Sequence, residues 1–321
     1  MEHPIIQWIE DGKPRSARWR SESGVPPPTR VEVVDDRITA DAAYGLATQG
    51  VALLWRGDFQ NARQLLTALA SRADRHPRKR TAPKPVFPDA FHAHRQAQAQ
   101  RARTLSRLLL PFESDYSIAL RRAPDLREAC LDAYGPGGAP SVASLRDLQG
   151  MVGAHEWRKK GIPIPEAGGS IHPHYGIFAP VRREYIGLVA TAPLPEALKD
   201  GAVAFDIGTG TGVLAAVLAK RGVAHVVATD TDPRAIACAR DNVARLGFAG
   251  RVEVVDANLF PPGRAGLVVC NPPWIPARPS SPVEHGIYDP ESAMLRGFLD
   301  GLAEHLVPGG EGWLILSDLA E

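Results

Sequence analysis

The stretch at residues 203–212, V-A-F-D-I-G-T-G-T-G, decides how the chain is organised. An apolar run ends at Asp206, three glycines follow at alternate positions, and a helical apolar pattern continues to Gly222. This order predicts a strand, a glycine-rich turn and a helix. Glycine adopts backbone angles that other residues avoid, and a helix N-terminus presents free N–H groups. The turn is therefore a predicted ligand site.

The spacing of these glycines distinguishes two kinds of cofactor site. A dinucleotide site has glycines in the pattern G-x-G-x-x-G. Here Gly208, Gly210 and Gly212 follow Asp206 in the pattern D-x-G-x-G-x-G. A dehydrogenase is therefore the least favoured interpretation of the sequence.

Three further apolar runs end in polar residues. The run H-V-V-A-T-D ends at Asp230, R-V-E-V-V-D ends at Asp256, and A-G-L-V-V-C leads into N-P-P-W, from Asn271 to Trp274. The carboxyl ends of parallel strands meet at one edge of a sheet, which is where open α/β sheets bind ligands. The pattern predicts an α/β domain with its site at that edge.

These motifs resemble those of a class I S-adenosylmethionine-dependent methyltransferase over residues from about 176 to 318, under half of the chain. D-I-G-T-G-T-G matches the first motif of that family. N-P-P-W resembles the N-P-P-[YFW] motif of enzymes that methylate planar nitrogens. Y-D-P-E-S-A-M-L-R-G-F-L-D-G-L is similar to the HemK-type glutamine methyltransferases. F-A-P-V-R-R-E-Y is a loose version of their P-R-x-E-T-E and lacks its second acidic residue, which leaves Arg182, Arg183 and Glu184 open as site residues.

The resemblance implies a Rossmann-like sheet and S-adenosylmethionine as the cofactor. Asp206 and the glycine turn would hold its methionine end and ribose, and Asp230 would accept hydrogen bonds from the ribose hydroxyls. Asp256 and the backbone of Ala257 would read the adenine, and Phe178 would pack near the cofactor. The implied cofactor-binding residues are Asp206, Gly208, Thr209, Gly210, Gly212, Asp230, Asp256, Ala257, Asn271 and Phe178.

The predicted catalytic residues are Asn271, Pro272, Pro273 and Trp274. The side-chain oxygen of Asn271 and the main-chain carbonyl of Pro272 would accept the two N–H bonds of a planar nitrogen and aim its lone pair at the methyl group. The prolines stiffen the backbone, and Trp274 would stack on the planar group. The same motif would serve a protein glutamine or a nucleic-acid base (adenine N6 or guanine N2), so the motif leaves both substrates open.

The 321 residues have room for two domains. We expect a mostly helical accessory domain at residues 1–165, which selects the substrate, and the methyltransferase domain at residues 166–321. The family's sheet has seven strands and the pattern lacks the last two, so we expect a C-terminally truncated chain. A non-catalytic module that keeps a cofactor fold is the alternative from another class, and the set Asp206, Asp230, Asp256 and Asn271 argues against it.

Residues 1–165 carry patterns of helices with some strand. A hairpin is predicted from Ile5 to Trp19 around an Asp11–Gly12 turn. Helices are predicted at residues 39–55, at residues 91–110, at residues 144–161, and in a segment that Asp58 caps.

Composition excludes some classes of protein. No run of 18 apolar residues is present, so we expect no membrane span, and the N-terminus lacks a signal-peptide pattern. Three widely separated cysteines favour the reducing cytoplasm. His172 and His174 lie two apart without supporting carboxylates or cysteines, so we expect no metal site.

Charge differs between the two halves. Residues 1–170 hold 25 Lys and Arg against 19 Asp and Glu, whereas residues 171–321 hold 12 against 17. The densest basic run, R-A-D-R-H-P-R-K-R-T-A-P-K, extends from Arg72 to Lys84. It is either a solvated loop or a contact to RNA or DNA phosphates, and it lacks the interleaved aromatic residues of a stacking surface.

Overall fold

A computed structural model describes residues 4–74, 89–198, 201–277, 279 and 282–316. The chain forms two compact units, Met1–Gly153 and Ala154–Glu321. The division falls within a helix, whereas the sequence predicts a boundary at residue 165. Among the described residues, no helix combines the length and the apolar character that crossing a membrane requires.

The first unit alternates strands and helices. Its elements in chain order are β1 Ile5–Glu10, β2 Lys13–Trp19, β3 Val31–Val34, α1 Ala40–Thr48, β4 Ala52–Trp55, α2 Phe59–Ala73, α3 Asp89–Leu105, β5 Leu108–Phe112, α4 Arg127–Tyr134, β6 Ser141–Ser144 and α5 Leu145–Lys160, which continues into the second unit.

The six strands of this unit form one mixed sheet in the order β1-β2-β6-β5-β4-β3. β1 and β2 make the predicted hairpin, closed by Asp11 (φ 52°) and Gly12 (φ 72°). Positive φ at both turn residues matches the twist of the paired strands. Ile6, Trp19, Ala52, Leu54, Leu109 and Val142 form an apolar cluster on this sheet.

The first unit therefore contains more strand than the sequence analysis predicted, because its helices accompany a six-stranded sheet. Two predicted helices were too long: residues 52–55 form β4, and residues 108–112 form β5. All four residues of β4 are buried. Strands buried on both faces have no apolar–polar alternation, so their sequences continue the apolar pattern of the preceding helix. The other two predicted helices are present as α2, which Asp58 caps, and α5.

The second unit contains a small hairpin and a larger parallel sheet. Its elements are β7 Ile162–Ile164, β8 Gly169–Ile171, α6 Glu184–Thr191, β9 Ala204–Ile207, α7 Val213–Lys220, β10 Val226–Asp230, α8 Pro233–Arg245, β11 Val252–Asp256, β12 Ala265–Cys270, α9 Ala293–Leu302 and β13 Leu306–Leu314. The predicted order from β9 onwards, strand, helix, strand, helix, strand, strand, helix, strand, is confirmed.

Five of these strands form a sheet in the order β11-β10-β9-β12-β13, and every pair is parallel. The chain builds outwards from β9 to β11 and then crosses to the other side with β12. The order therefore reverses next to β9, and such switch points open a crevice at the carboxyl ends of the strands. The fold places the glycine turn at this crevice.

Gly45 and Gly50 provide a matched test of where helix α1 ends. Gly45 lies inside α1, where an added Cβ would meet no atom within 4 Å, whereas Gly50 has a φ of 84° in the turn before β4. We expect Gly45→Ala to raise the free energy of unfolding by about 0.5–1 kcal/mol. Gly50→Ala should lower it by about 1–2 kcal/mol, because an L-residue is strained there. Urea unfolding measures both, and equal shifts of one sign would contradict the assigned helix end.

Candidate active site

The glycine turn after β9 has the backbone geometry for which its sequence was singled out. Gly208, Gly210 and Gly212 have φ values of 69°, 54° and 78°. A Cβ on Gly208 would lie 2.6 Å from Cε of Met294. The left-handed backbone favours glycine at all three positions, and at Gly208 a larger residue would also have to move the end of the Met294 side chain.

Asp206 lies beneath this turn and is 1% exposed. Its Oδ2 accepts hydrogen bonds from the Thr209 hydroxyl (2.6 Å) and from the Ala215 backbone N–H at the start of α7 (3.0 Å). Burial raises the pKa of Asp206 to about 6, partly offset by these two hydrogen bonds. The carboxyl group thus joins β9, the turn and α7, and its predicted contact to a cofactor stays a prediction.

Asp230, at the end of β10, holds the other side of the turn. Its Oδ2 accepts from the Gly210 N–H (3.0 Å) and its Oδ1 from the Asp232 N–H (3.0 Å). Burial raises the pKa of Asp230, and the backbone N–H donors act in the opposite direction. A carboxylate has about four acceptor positions, so both oxygens keep capacity for a ligand's hydroxyls.

At the end of β11, the structure places Asp256 and Ala257, both predicted cofactor-binding residues, differently with respect to the central cavity. Asp256 is exposed and does not line the central cavity, whereas Ala257 and the adjacent Asn258 do. The N–H of Ala257 donates to the Asp230 carbonyl at 3.2 Å. The backbone of Ala257 is thus at the cavity, and the predicted reading of adenine by Asp256 remains untested.

The N-P-P-W segment follows β12 at the same edge. Asn271 and Pro273 line the cavity, Pro272 is buried, and Trp274 is half-buried outside the lining. The N–H groups of Trp274 and Ile275 both donate to the carbonyl of Ile287, at 3.2 and 3.1 Å. This pairing attaches the segment to the chain that leads into α9.

Asp289, from the Y-D-P-E-S-A-M segment, fixes the start of α9. It is 4% exposed, and its carboxylate accepts from the N–H groups of Met294 (3.0 Å) and Leu295 (3.1 Å). Its own N–H donates to the Ile275 carbonyl at 2.8 Å. Asp289 therefore joins the helix to the N-P-P-W segment, a role that the sequence analysis missed. An acidic residue shortly before an apolar helical pattern was the available signal.

A cavity of about 960 Å³ lies at this edge of the sheet. The predicted residues that line it are Phe178, Gly208, Thr209, Gly210, Asp230, Ala257, Asn271 and Pro273. Those outside its lining are Asp206, Gly212, Asp256, Pro272 and Trp274. Lining residues that the sequence analysis missed include Ile177, Tyr185, Asp232, Arg234, Asn258, His285, Asp289 and Met294.

Part of the cavity wall is formed by the segment before α6 and the segment before α9. Phe178 is 37% exposed and packs on Gly286, where an added Cβ would lie 2.8 Å from the Cβ of Phe178. Arg182, Arg183 and Glu184, left open by the sequence, do not line the cavity, whereas the next residue, Tyr185, does.

His172 and His174 connect the loop after β8 to α8. The N–H of His172 donates to Oδ1 of Asn242 at 2.8 Å, and Nε2 of His174 lies 2.9 Å from Oδ2 of Asp241. Within the part of the chain that the structure describes, no group of three or more His, Cys, Asp or Glu residues is arranged to hold a metal ion. Cys270, immediately before Asn271, is fully buried, and burial raises the pKa of its thiol.

Comparison with known protein families agrees with this geometry. Residues 171–319 match the family described as Methyltransferase small domain. The matched residues run from the end of β8 past β13 and include the whole parallel sheet. The predicted class I, S-adenosylmethionine-dependent methyltransferase domain of HemK type is thus confirmed for these residues, together with its Rossmann-like sheet.

Relatives of the methyltransferase small domain include two kinds of protein methyltransferase. The release factor glutamine methyltransferase of Cereibacter sphaeroides is 37% identical over 123 residues, covering 34% of this chain and 44% of the relative. The ribosomal protein L11 methyltransferase of Pelotomaculum thermopropionicum is 46% identical over 80 residues, covering 24% of this chain and 26% of the relative. The chain therefore spans less than half the length of either relative.

A solved structure of a methyltransferase from Pyrococcus furiosus is also similar, with 23% identity and a TM-score of 0.36. The match covers 52% of this chain and 78% of that one.

The raised pKa of the buried Asp206 carboxyl predicts that the free energy of unfolding depends on pH. The pKa of Asp206 is about 6 in the folded protein and near 3.9 when unfolded, so the folded state binds more protons between these values. Folding stability from this group is therefore present at low pH and is lost as the pH rises from about 4 to about 6. The free energy of unfolding of Asp206→Asn, minus that of the native chain, should increase by about 2–3 kcal/mol between pH 4 and pH 7.

Urea titrations at both pH values measure this difference. Asp300→Asn, on the exposed side of α9, removes a carboxylate from the same unit and serves as the control. A difference for Asp206→Asn that does not change with pH would contradict the raised pKa.

Proposed function

We propose that the chain transfers a methyl group from S-adenosylmethionine to a planar nitrogen, the side-chain amide of a glutamine in a protein substrate. The N–CH3 bond forms as the S–CH3 bond breaks, S-adenosylhomocysteine leaves, and the nitrogen releases one proton to water. The observation that carries this proposal is the position of Asn271 and Pro273, which line the same cavity as the glycine turn. A cofactor site and a motif suited to planar nitrogens thus share one cavity.

The cavity fits S-adenosylmethionine in size and charge. Its volume of about 960 Å³ lies at the upper end of the range for small-molecule sites, which leaves space for a substrate group. Three acidic residues, Asp230, Asp232 and Asp289, line it together with one arginine, Arg234. The cofactor supplies a methyl group on a cationic sulfur, and an anionic wall suits a cation.

Asn271 would hold the substrate nitrogen. An amide nitrogen is a poor nucleophile because its lone pair is delocalised into the carbonyl. Hydrogen bonds from its two N–H groups to the Asn271 side chain and the Pro272 carbonyl would favour a more pyramidal nitrogen and fix its direction of approach. Positioning of this kind supplies a large part of the rate of a direct displacement.

A protein substrate is favoured over a nucleic acid. Both curated relatives described above are named for protein substrates, a release factor and ribosomal protein L11. The RNA alternative rests on the basic run from Arg72 to Lys84. Arg72 is paired with Asp41, its Nε 2.7 Å from Oδ1, and residues 75–84 lie outside the described residues. A non-catalytic module would leave the Asn271 and Asp230 arrangement without a role.

Residues 1–165 would act as the accessory domain that selects this protein. The reaction would take place in the cytoplasm, which agrees with Cys130, Cys238 and Cys270 being free thiols.

Asn271→Ala tests the proposed chemistry. The chain is incubated with methyl-labelled S-adenosylmethionine and an extract of unmethylated cells, and the products are digested separately with protease and with RNase. We expect label that protease releases as methylglutamine. Asn271→Ala should abolish its transfer while calorimetry shows cofactor affinity nearly unchanged.

Asn61→Ala, in α2 of the first unit, serves as the matched control, because the Asn61 amide pairs with Asp36 away from the cavity. Label sensitive to RNase would replace the protein substrate with RNA. Loss of cofactor binding by Asn271→Ala would remove Asn271 from its proposed role.

Asp230→Ala tests the proposed ribose contact. Loss of a carboxylate that accepts hydrogen bonds from hydroxyls should weaken S-adenosylmethionine binding by about 1–3 kcal/mol. Titration calorimetry measures the change against Glu253→Ala, an exposed carboxylate of β11. An unchanged Kd would refute the assignment.

A further inference from the structure

The sheet of the first unit ends in two strands, β1 and β3, that each have one unpaired edge. Among the described strands, β1 pairs with β2 alone and β3 pairs with β4 alone. The carboxylate of Glu10, at the end of β1, accepts two hydrogen bonds of 2.8 Å from the guanidinium of Arg56. The N–H of Arg56 donates to the carbonyl of Val34 at the end of β3. This ion pair holds the two edges side by side at one end.

The register of β1 shows which backbone groups remain at its edge. The N–H of Trp19 donates to the Pro4 carbonyl, and hydrogen-bonded pairs alternate with non-bonded pairs along antiparallel strands. Ile5, Gln7 and Ile9 therefore direct their N–H and C=O groups away from β2. An edge of this kind can pair with another extended chain, and proteins usually protect it with charged residues or a covering element. Here Ile5 and Ile9 are instead 51% and 63% exposed.

A cavity of about 600 Å³, which we call the edge groove, is lined by both edge strands. Its lining consists of residues 7–9 of β1, residues 14–16 of β2, residues 29–32 at the start of β3, and Val51. The indole N–H of Trp8 donates to Oε2 of Glu10 at 3.0 Å, which fixes the ring in this lining. Tryptophan and arginine are the residues that most often dominate binding energy at protein interfaces. The edge groove contains one tryptophan and two arginines, the composition of a surface that binds another chain.

The charge of the edge groove indicates what that chain would carry. Arg15 and Arg30 line it together with one acidic residue, Glu32. In the part of the chain that the structure describes, neither arginine side chain makes a hydrogen bond or a salt bridge. The nearby carboxylate of Glu10 is already bound by Arg56. A guanidinium binds a carboxylate through two parallel hydrogen bonds, so carboxylates are the groups that match these two arginines.

We propose that the edge groove binds an extended, acidic segment of another protein. The backbone of this segment would pair with the outward N–H and C=O groups of β1, and its carboxylates would bind Arg15 and Arg30. In strand addition to an exposed edge, the backbone supplies affinity and alternate side chains supply specificity. The binding needs no cofactor, so the inference stands apart from the proposed methyl transfer.

Two synthetic peptides with a fluorescent label and capped ends test this inference on the full chain. One alternates valine with glutamate, and the other replaces each glutamate with lysine. Because like charges repel, we expect the glutamate peptide to bind with a Kd about tenfold lower, or lower still, in fluorescence anisotropy. Arg15→Gln and Arg30→Gln should each raise that Kd about tenfold, since each removes a charged hydrogen-bond donor. Arg63→Gln, an equal change of charge at an exposed position of α2, serves as the control and should leave the Kd unchanged.

Gln7→Pro tests the strand pairing separately from the charges. Proline removes the Gln7 N–H, which faces away from β2, and edge strands tolerate proline at such positions. We expect the Kd of the glutamate peptide to rise about fivefold, because one backbone hydrogen bond is lost. The circular dichroism spectrum of the chain should stay unchanged.

Four outcomes would overturn the inference. The first is equal binding of the two peptides, and the second is a native Kd of the glutamate peptide in both Arg15→Gln and Arg30→Gln. The third is displacement of the glutamate peptide by an equal concentration of oligouridylate, which would assign the edge groove to a nucleic acid. The fourth is dimerisation in light scattering that Gln7→Pro abolishes, which would assign the edge to a second copy of this chain.

Discussion

Hydrogen bonds from the glycine turn to two carboxyl groups hold the carboxyl edge of the sheet in shape. Asp206 receives the Thr209 hydroxyl and the Ala215 N–H, and Asp230 receives the N–H groups of Gly210 and Asp232. A backbone in the left-handed region has little intrinsic preference to stay there, since glycine visits many conformations. Hydrogen bonds to ionised acceptors are about twice as strong as neutral ones. Burial raises the pKa of both carboxyl groups, because their charged forms are less favourable inside the protein than in water. Keeping them ionised at the edge of the sheet therefore lowers the stability of the folded state.

The sequence was sufficient for the parallel sheet because each of its strands is followed by a recognisable signal. Asp206 and Asp230 lie in the last two residues of β9 and β10, and Asn271 comes directly after β12. Parallel strands bring such residues to one edge. The sheet of the first unit was missed for the opposite reason. Its strands β4 and β5 are four and five residues long and largely buried, so they look like the ends of helices. Three residues, Gln49 to Val51, separate α1 from β4, and Gly50 among them has a positive φ.

The missed lining residues have a different physical origin. Tyr185, His285 and Met294 line the cavity because α6, α9 and the segment before α9 lie beside it. The hydrophobic periodicity of a sequence does not predict such contacts. They depend on the position of a helix or loop in the fold and not on the residue pattern within it. Conversely, Trp274 carries a clear motif but lies outside the lining, where its backbone pairs with Ile287. A motif identifies the segment that approaches a site, and the packing determines which of its residues face the site.

Close contacts at two glycines limit how this cavity can change during evolution. Gly208 lies against Met294, and Gly286 lies against Phe178, each with no space for a Cβ. A Cβ at Gly286 would clash with the Cβ of Phe178, whereas a Cβ at Gly208 would be strained by its positive φ and would have to push aside the end of the Met294 side chain. The side chains of Asn258, Arg234 and His285 line the cavity from loops and a helix start, with no comparable restriction at the backbone. Descendants of this gene that acquire a new substrate would therefore vary at these three positions while the two glycines persist.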